Sequence, residues 1–161
     1  MLLKSLKGCQ LVISHYPAFL YDASGGGGKA IEMKNQEIDS GYFQFSPENF
    51  IMPPLNSFTT KFLGLPIPPG IEIKMYLDHL EGTIDKEDGH VALKFRSRFV
   101  LSIFSKINAP ELIISTCLKT GKLNSKRHSV QGLTIQRNGR ATLVGVAKVE
   151  PSGNIILDTF L

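Results

Sequence analysis

Between Ile71 and Phe104 apolar and polar side chains alternate along two arms. On the second arm Val91, Leu93, Phe95, Phe99, Leu101 and Ile103 share one parity, with His90, Lys94, Arg96 and Arg98 among the positions between. Successive side chains of a strand point to opposite faces, so a period of two buries one face and wets the other. The first arm has Ile71, Ile73, Met75 and Leu77 in one phase, then Leu80, Gly82 and Ile84 in the other. The phase slips at Asp78-His79, where one extra residue in a β-bulge restores the register. With Lys86-Glu87-Asp88-Gly89 as the turn, the arms form one long antiparallel hairpin. Pairing Asp85 with His90 sets Glu81 opposite Lys94. Past the bulge it sets Asp78 opposite Arg96 and Tyr76 opposite Arg98, with His79 as the extra residue.

The same reading places strands over 9–14 and 18–23, parted at Tyr16-Pro17. Ser24 to Lys29 follows, with four consecutive glycines. A phosphate-binding loop would need Gly where Ala23 stands and Ser or Thr where Ala30 stands, so a flexible hairpin loop is expected instead. Residues 30–38 alternate as a strand, 39–41 turn, and 42–45 form a short aromatic strand. Ser46-Pro47-Glu48-Asn49 starts at most one helical turn, with Pro at its first position. Residues 52–70 hold five prolines together with Leu55, Phe58, Phe62, Leu63, Leu65 and Ile67. Proline excludes a helix and most ladder positions. A solvated linker would not carry so much hydrophobe, so this long loop is expected to pack, with a short strand at 57–62.

Beyond the hairpin, 112–118 reads as a strand and 120–127 as a polar loop. Strands at 128–136 and 140–149 flank Asn138-Gly139, the signal of a type I′ turn, and 154–161 is a last strand. Residues 140–149 are apolar on both sides, which predicts a central or covered strand. Hairpin-linked strands this long must coil. The expected architecture is therefore a single all-β domain over 1–161: an antiparallel meander forming a closed or nearly closed β-barrel of lipocalin-like size, with a β-sandwich as the alternative.

Composition narrows the function classes. The chain has 161 residues, enough for one domain with a real core, and a formal net charge of +4. That excess is mild and dispersed, which argues against nucleic acid as a partner. Cys9 and Cys117 lie in apolar runs and are expected as buried free thiols, with a single disulfide between them left open. No run approaches the ~20 apolar residues of a membrane helix. Lys4 and Lys7 interrupt what would be the core of a secretory signal. A soluble protein of the cytoplasm, or of the equivalent plastid stroma, is expected. The histidines have no metal-ligand spacing and no CxxC is present, so neither metal nor cofactor is expected.

Two sets of residues are candidates for chemistry. Tyr76, Asp78, His79 and Arg96 form a polar cluster at the expected bulge, a place where functional groups gather. The simpler reading of the same residues is a surface ion pair. Lys94, Arg96 and Arg98 form a basic stripe on one strand face, and two of the three have expected acidic partners. In a barrel, Met75, Phe95, Phe99, Leu143 and Gly145 would line the interior. The small residues Gly132, Ala141, Gly145 and Ala147 would leave room there for a small apolar ligand, or would simply let the barrel coil.

Residues 53–73 (PPLNSFTTKFLGLPIPPGIEI) and 139–161 (GRATLVGVAKVEPSGNIILDTFL) resemble stretches of conserved cyanobacterial and plastid proteins to which no activity is assigned. The resemblance implies a photosynthetic source and a housekeeping role near pigments or lipids, and it supplies no site residues. Length and strand count are also similar to lipocalin-like carriers, whose Gly-x-Trp signature has no counterpart in a chain without Trp. The expected function is non-enzymatic binding of a small apolar or amphipathic ligand, pigment-like or lipid-like, inside the barrel. One alternative is a protein-interaction or assembly factor that uses the 52–70 loop and the basic strand face. Another is an isomerase or lyase with Asp78 and His79 in a pocket.

Overall fold

A computed structural model describes residues 1–12, 17–33, 41–124, 129–151 and 153. Among them the regular structure is antiparallel strand, apart from one 3-10 turn at Pro47–Asn49. The strands are β1 (Leu2–Lys4), β2 (Cys9–Leu11), β3 (Phe19–Tyr21), β4 (Gly27–Met33), β5 (Gly41–Phe45), β6 (Thr60–Phe62) and β7 (Leu65–Pro66). After them come β8 (Ile71–Ile84), β9 (Val91–Ile103), β10 (Ile107–Asn108), β11 (Leu112–Lys119), β12 (Gly121–Asn124), β13 (Ser129–Gly132) and β14 (Lys148–Val149). The main sheet runs β1-β4-β5-β8-β9-β11-β14, with β10 also beside β9. A smaller sheet runs β2-β3-β6-β7, and β12 pairs with β13. Among the described residues no helix is long and apolar enough to cross a membrane.

The long hairpin forms as the alternation predicts, from Ile71 opposite Ile103 to Ile84 opposite Val91. Glu81 faces Lys94 and Tyr76 faces Arg98, both in the expected register. The bulge is there too, but its extra residue is Asp78 rather than His79. His79 stands opposite Arg96, and Asp78 has no partner in the ladder. Two contacts account for the choice. Arg98 Nε donates to Asp78 Oδ1 at 2.8 Å, and Ser97 Oγ donates to the Tyr76 carbonyl at 2.8 Å. A bulge disrupts the ladder next to it. Ser97, the one polar residue at an inward position of β9, gives that carbonyl a partner inside the core, where it is fully buried.

The core has two apolar clusters. One gathers Ala30, Phe43, Phe45, Leu77, Leu80, Ile84, Val91 and Leu93 from four neighbouring strands or their flanks, with Leu3, Phe50, Phe95, Ile135 and Leu143 packed against it. The other joins the smaller sheet to the open half of the hairpin through Tyr21, Ala23, Leu55 and Met75. Leu55 is tied to Ile73 by a pair of backbone hydrogen bonds of 2.9 and 2.8 Å. Tyr21 reaches the Pro53 carbonyl with its hydroxyl.

Several expectations need correction. The glycine run is not a flexible loop. Only Ser24-Gly25 turns, and Gly27 and Gly28 open β4 beside β1. Gly27 also exchanges backbone hydrogen bonds with Ile51, at 2.9 and 2.8 Å. A Cβ on Gly27 would overlap the Leu3 carbonyl, and one on Gly26 would come within 2.7 Å of Pro53 Cδ. Absence of side chains lets three backbones cross here, so the glycines are spent on proximity rather than freedom.

Residues 121–124 are a strand rather than part of a polar loop. The turn at Gln136–Gly139 has a left-handed Gly139 (φ 76°), but Asn138 is not left-handed. The Gly139 amide donates to the Gln136 carbonyl at 2.8 Å and the Gln136 amide to the Arg140 carbonyl at 2.8 Å. That is a three-residue loop closing on an αL glycine, not a type I′ pair. Residues 140–149 are neither central nor covered. They pair with the outer edge of β11 and with Leu133 through bridges and β14; Leu143 reaches the first cluster, while Ala141, Gly145, Val146 and Ala147 are exposed. Cys9 and Cys117 are free and exposed rather than buried. The strand expected at 154–161 and residues 39–40 of the expected turn lie outside the described residues.

Candidate functional site

Four regions hold the candidate groups. The first is the outer face of β8 and β9, where the predicted polar cluster lies. His79 Nε2 is 2.9 Å from Glu81 Oε1. The Tyr42 hydroxyl donates to Glu81, which with His79 and Lys94 holds that carboxyl below its usual range, while partial burial works the other way. The same bond raises the Tyr42 hydroxyl above its usual value. Arg96 does not meet Asp78; its Nη1 lies 2.9 Å from Glu150 Oε1. Arg98 takes Asp78, approaches Glu111 at 3.8 Å, and sits 5.8 Å from the centre of the Tyr76 ring. Tyr76, Asp78 and Arg98 are therefore together, while His79 and Arg96 belong to two other pairs. Arg96 and Arg98 are ion-paired and Lys94 stands opposite Glu81, so each member of the basic stripe has a carboxylate neighbour, which makes it a poor anion-binding surface.

The second region is an open cleft of about 300 Å3 at the closed end of the hairpin, lined by Thr83, Asp85, His90, Val91, Ala92, Lys119 and Thr120. His90 Nδ1 is 3.2 Å from Thr120 Oγ1, and His90 Nε2 is 3.8 Å from Asp88 Oδ2. The order hydroxyl, imidazole, carboxylate is that of an activated nucleophile. Here, however, Thr120 Oγ1 already accepts the Val91 amide at 3.1 Å and is buried against it. The threonine closes the end of β9, and sequence spacing gave no hint that it would meet His90. Among the described residues no group of three or more His, Cys, Asp or Glu could hold a metal ion.

The third region holds the residues expected to line a barrel interior. Met75 and Phe99 are directly opposed across the hairpin and pack in the second apolar cluster. Phe95 and Leu143 pack against the first. Gly145 lies on the exposed edge, where a Cβ would meet Thr116 Oγ1 at 2.5 Å. The five are divided between two clusters and an edge. A cleft of about 220 Å3 lined by Met52, Pro54, Lys74, Met75 and Tyr76 is open to solvent and touches only Met75 of the set.

The fourth region is the open end of the long hairpin, where the 52–70 segment meets the β9–β10 turn. The four most exposed large hydrophobic residues among those described all lie here: Phe58 at 94%, Leu63 and Leu65 at 70%, and Phe104 at 69%. Each is held by its backbone. Asn56 Oδ1 accepts the amides of Phe58 and Thr59 at 3.0 and 3.2 Å, and Thr59 Oγ1 donates to the Pro54 carbonyl at 2.7 Å. Leu63 and Gly64 (φ 52° and 81°) form the two-residue type I′ turn between β6 and β7. Phe104 and Ser105 (φ 50° and 55°) are also left-handed, in the three-residue loop 104–106 between β9 and β10, where the Lys106 amide donates to the Ile103 carbonyl at 3.1 Å. The Phe104 amide donates to the Gly70 carbonyl at 2.7 Å, which ties the two loops together.

Sequence reading expected the 52–70 hydrophobes to pack. Leu55 and Ile67 do, while Phe58, Leu63 and Leu65 do not. Leu11, Phe19, Phe62 and Leu65 form a cross-strand row from one edge of the smaller sheet to the other, with the Phe19 and Phe62 rings stacked at 4.6 Å. Phe104 was not singled out; its signal is its position just past the last inward residue of β9.

These features define an antiparallel all-β protein with an ion-paired outer face and an apolar tip. No family model, curated protein or solved structure matches the chain.

Proposed function

We propose that this protein is a docking module whose contact surface is the open end of the long hairpin, formed by residues 56–66 and Phe104. The observation that carries the reading is the coincidence of exposure with backbone strain. The left-handed region costs an L-residue roughly 1–2 kcal/mol, and a type I′ turn is best served by Asn-Gly. Leucine and phenylalanine at those positions satisfy neither the turn nor the solvent. Strain of this kind is retained where a side chain has a task beyond folding. The ion-paired outer face supplies solubility and rigidity on this reading.

Carriage of a small apolar ligand is the second reading. Leu3, on one flank of the main sheet, and Leu143, near the other, pack on the same apolar cluster, as they would in a nearly closed barrel. It ranks second because the predicted lining residues are divided between two packed clusters and an exposed edge.

Fractionation of an extract from the source organism tests the docking reading. Wild-type protein is expected in the heavy fraction. A folded variant carrying Leu63→Asn, Leu65→Ser and Phe104→Asn is expected among free chains of 17.7 kDa. Identical behaviour of the two would reject the docking surface.

A further inference from the structure

We infer that the partner at this tip is an anionic lipid surface, an inference that rests on the docking reading above and names its occupant. The first observation is shape. Leu63 and Leu65 share the β6–β7 hairpin, Phe58 stands on the turn before it, and Phe104 stands on the β9–β10 turn with its ring beside Gly70; Leu63 and Phe104 occupy strained positions. Leu65 and Gly70 are joined by a short segment that spans at most about 18 Å, so Leu65 and the Phe104 turn lie within one footprint. Apolar projections of this size on different turns suit a yielding interface of headgroups and acyl chains, into which each turn can sink.

The second observation is charge. Residues 1–21, 49–71 and 89–110 contain no Asp or Glu, and the tip segments drawn from them carry Lys61 and Lys106. Both lysines are exposed. The carboxylate nearest in sequence, Glu72, is 3.6 Å from Lys74. Elsewhere on the hairpin Arg96 and Arg98 are matched by acids. Asp22, whose amide donates to the Thr59 carbonyl beside Phe58, brings a carboxylate to this region, and Lys7 lies 3.6 Å from it. Lys61 and Lys106 are then the exposed charges among the apolar tips, complementary to negatively charged headgroups. A protein groove would more often be met by an aromatic or arginine anchor in a packed patch.

The test is co-sedimentation of the full chain with vesicles of phosphatidylcholine alone and of phosphatidylcholine with phosphatidylglycerol. Binding is expected to the anionic vesicles, to weaken with salt, and to be far weaker on the neutral ones. Each lysine near the surface contributes about fivefold, so Lys61→Glu with Lys106→Glu should cost about 25-fold or more on anionic vesicles only. The Leu63→Asn, Leu65→Ser, Phe104→Asn variant should lose binding to both while its melting temperature is kept.

Because the chain has no Trp, Phe104→Trp reports the tip alone. Its emission should shift to the blue on anionic vesicles, whereas Glu87→Trp, at the opposite end of the hairpin, should not respond. No binding to either vesicle, or an unshifted Phe104→Trp, overturns the inference. If vesicle binding fails while the triple variant still leaves the heavy fraction of the extract, the docking surface stands and its partner is a protein instead.

Discussion

Arg98 and Asp78 are joined across the hairpin although they are not opposite each other: Arg98 faces Tyr76, and Asp78 is the residue the ladder leaves out. The bulge therefore has two kinds of support, an ion pair on the wet side and the Ser97 hydroxyl on the dry side. They are not equal. An exposed pair contributes up to about 1 kcal/mol, whereas an orphaned buried carbonyl costs about 1–3 kcal/mol. Ser97→Ala should lower stability in urea titrations more than Asp78→Ala does. Deleting Asp78 should leave both faces as they are, because Leu77 opposite Ser97 and His79 opposite Arg96 are already consecutive pairs of the ladder, and its cost should not exceed that of losing the Arg98 ion pair.

Gly27 is among the most demanding glycines in the fold. Gly27→Ala would drive a methyl group onto the Leu3 carbonyl in a backbone conformation (φ 122°) that alanine resists. The expected loss is about 3 kcal/mol or more, enough to threaten folding at 37 °C. Gly139→Ala is the control: its φ is 76° with open space around it, and about 1 kcal/mol of strain is the whole cost. Thermal melts of the two variants should separate widely.

Leu63→Asn should stabilise the free protein by about 0.5–1 kcal/mol, since Asn tolerates the left-handed conformation that the turn imposes. The same change should weaken association. A gain in melting temperature together with a loss of binding is the signature expected of a residue retained for contact. A fall in melting temperature would show that Leu63 packs in the folded chain.

Tyr21 and Glu81 each tie stability to pH, in opposite senses. Burial, followed by the neighbouring Cys9 and Asp22, pushes the Tyr21 hydroxyl up to about 12. A raised value means that the folded state holds the proton more tightly than the unfolded chain. The contribution is complete below pH 10 and is lost as pH climbs toward 12. Tyr21→Phe should abolish this alkaline transition and cost about 1 kcal/mol at neutral pH through the lost bond to Pro53. Glu81 works in the opposite sense. The Tyr42 hydroxyl holds its folded value down, so its contribution is present above the ordinary carboxylate range and disappears as pH falls through the folded value. Glu81→Gln should flatten the acid limb of a stability profile.

The hairpin was legible because period-two alternation is a local property that a buried face enforces. Its one error, His79 for Asp78, arose because the phase slip locates a bulge only to a residue or two, while side-chain partners choose the position. Glu81, Lys94, Tyr76 and Arg98 could be paired by counting. Arg96 could not, since its partner Glu150 comes from a distant segment. The glycine run misled for a related reason: composition reports conformational freedom, but not whether Leu3 and Ile51 will pass close by. Residues 140–149 looked covered because both of their faces are apolar, and exposure depends on what neighbours them in the sheet. The apolar tip was half visible. The 52–70 segment stood out for its prolines and hydrophobes, yet which of them point outward follows from Asn56, Gly64 and Gly70.

The turn between β8 and β9 also bears on the order of assembly. Closing Ile84 on Val91 encloses only a short loop, whereas joining β1 to β4 or β5 to β8 must bring together segments more than twenty residues apart. Loop-closure entropy makes the hairpin the least costly first pairing between long strands, and the later strands can then add to its two edges. It is the natural kinetic seed of the molecule, and its amides are the ones that pulse-labelled hydrogen exchange should find protected earliest during refolding.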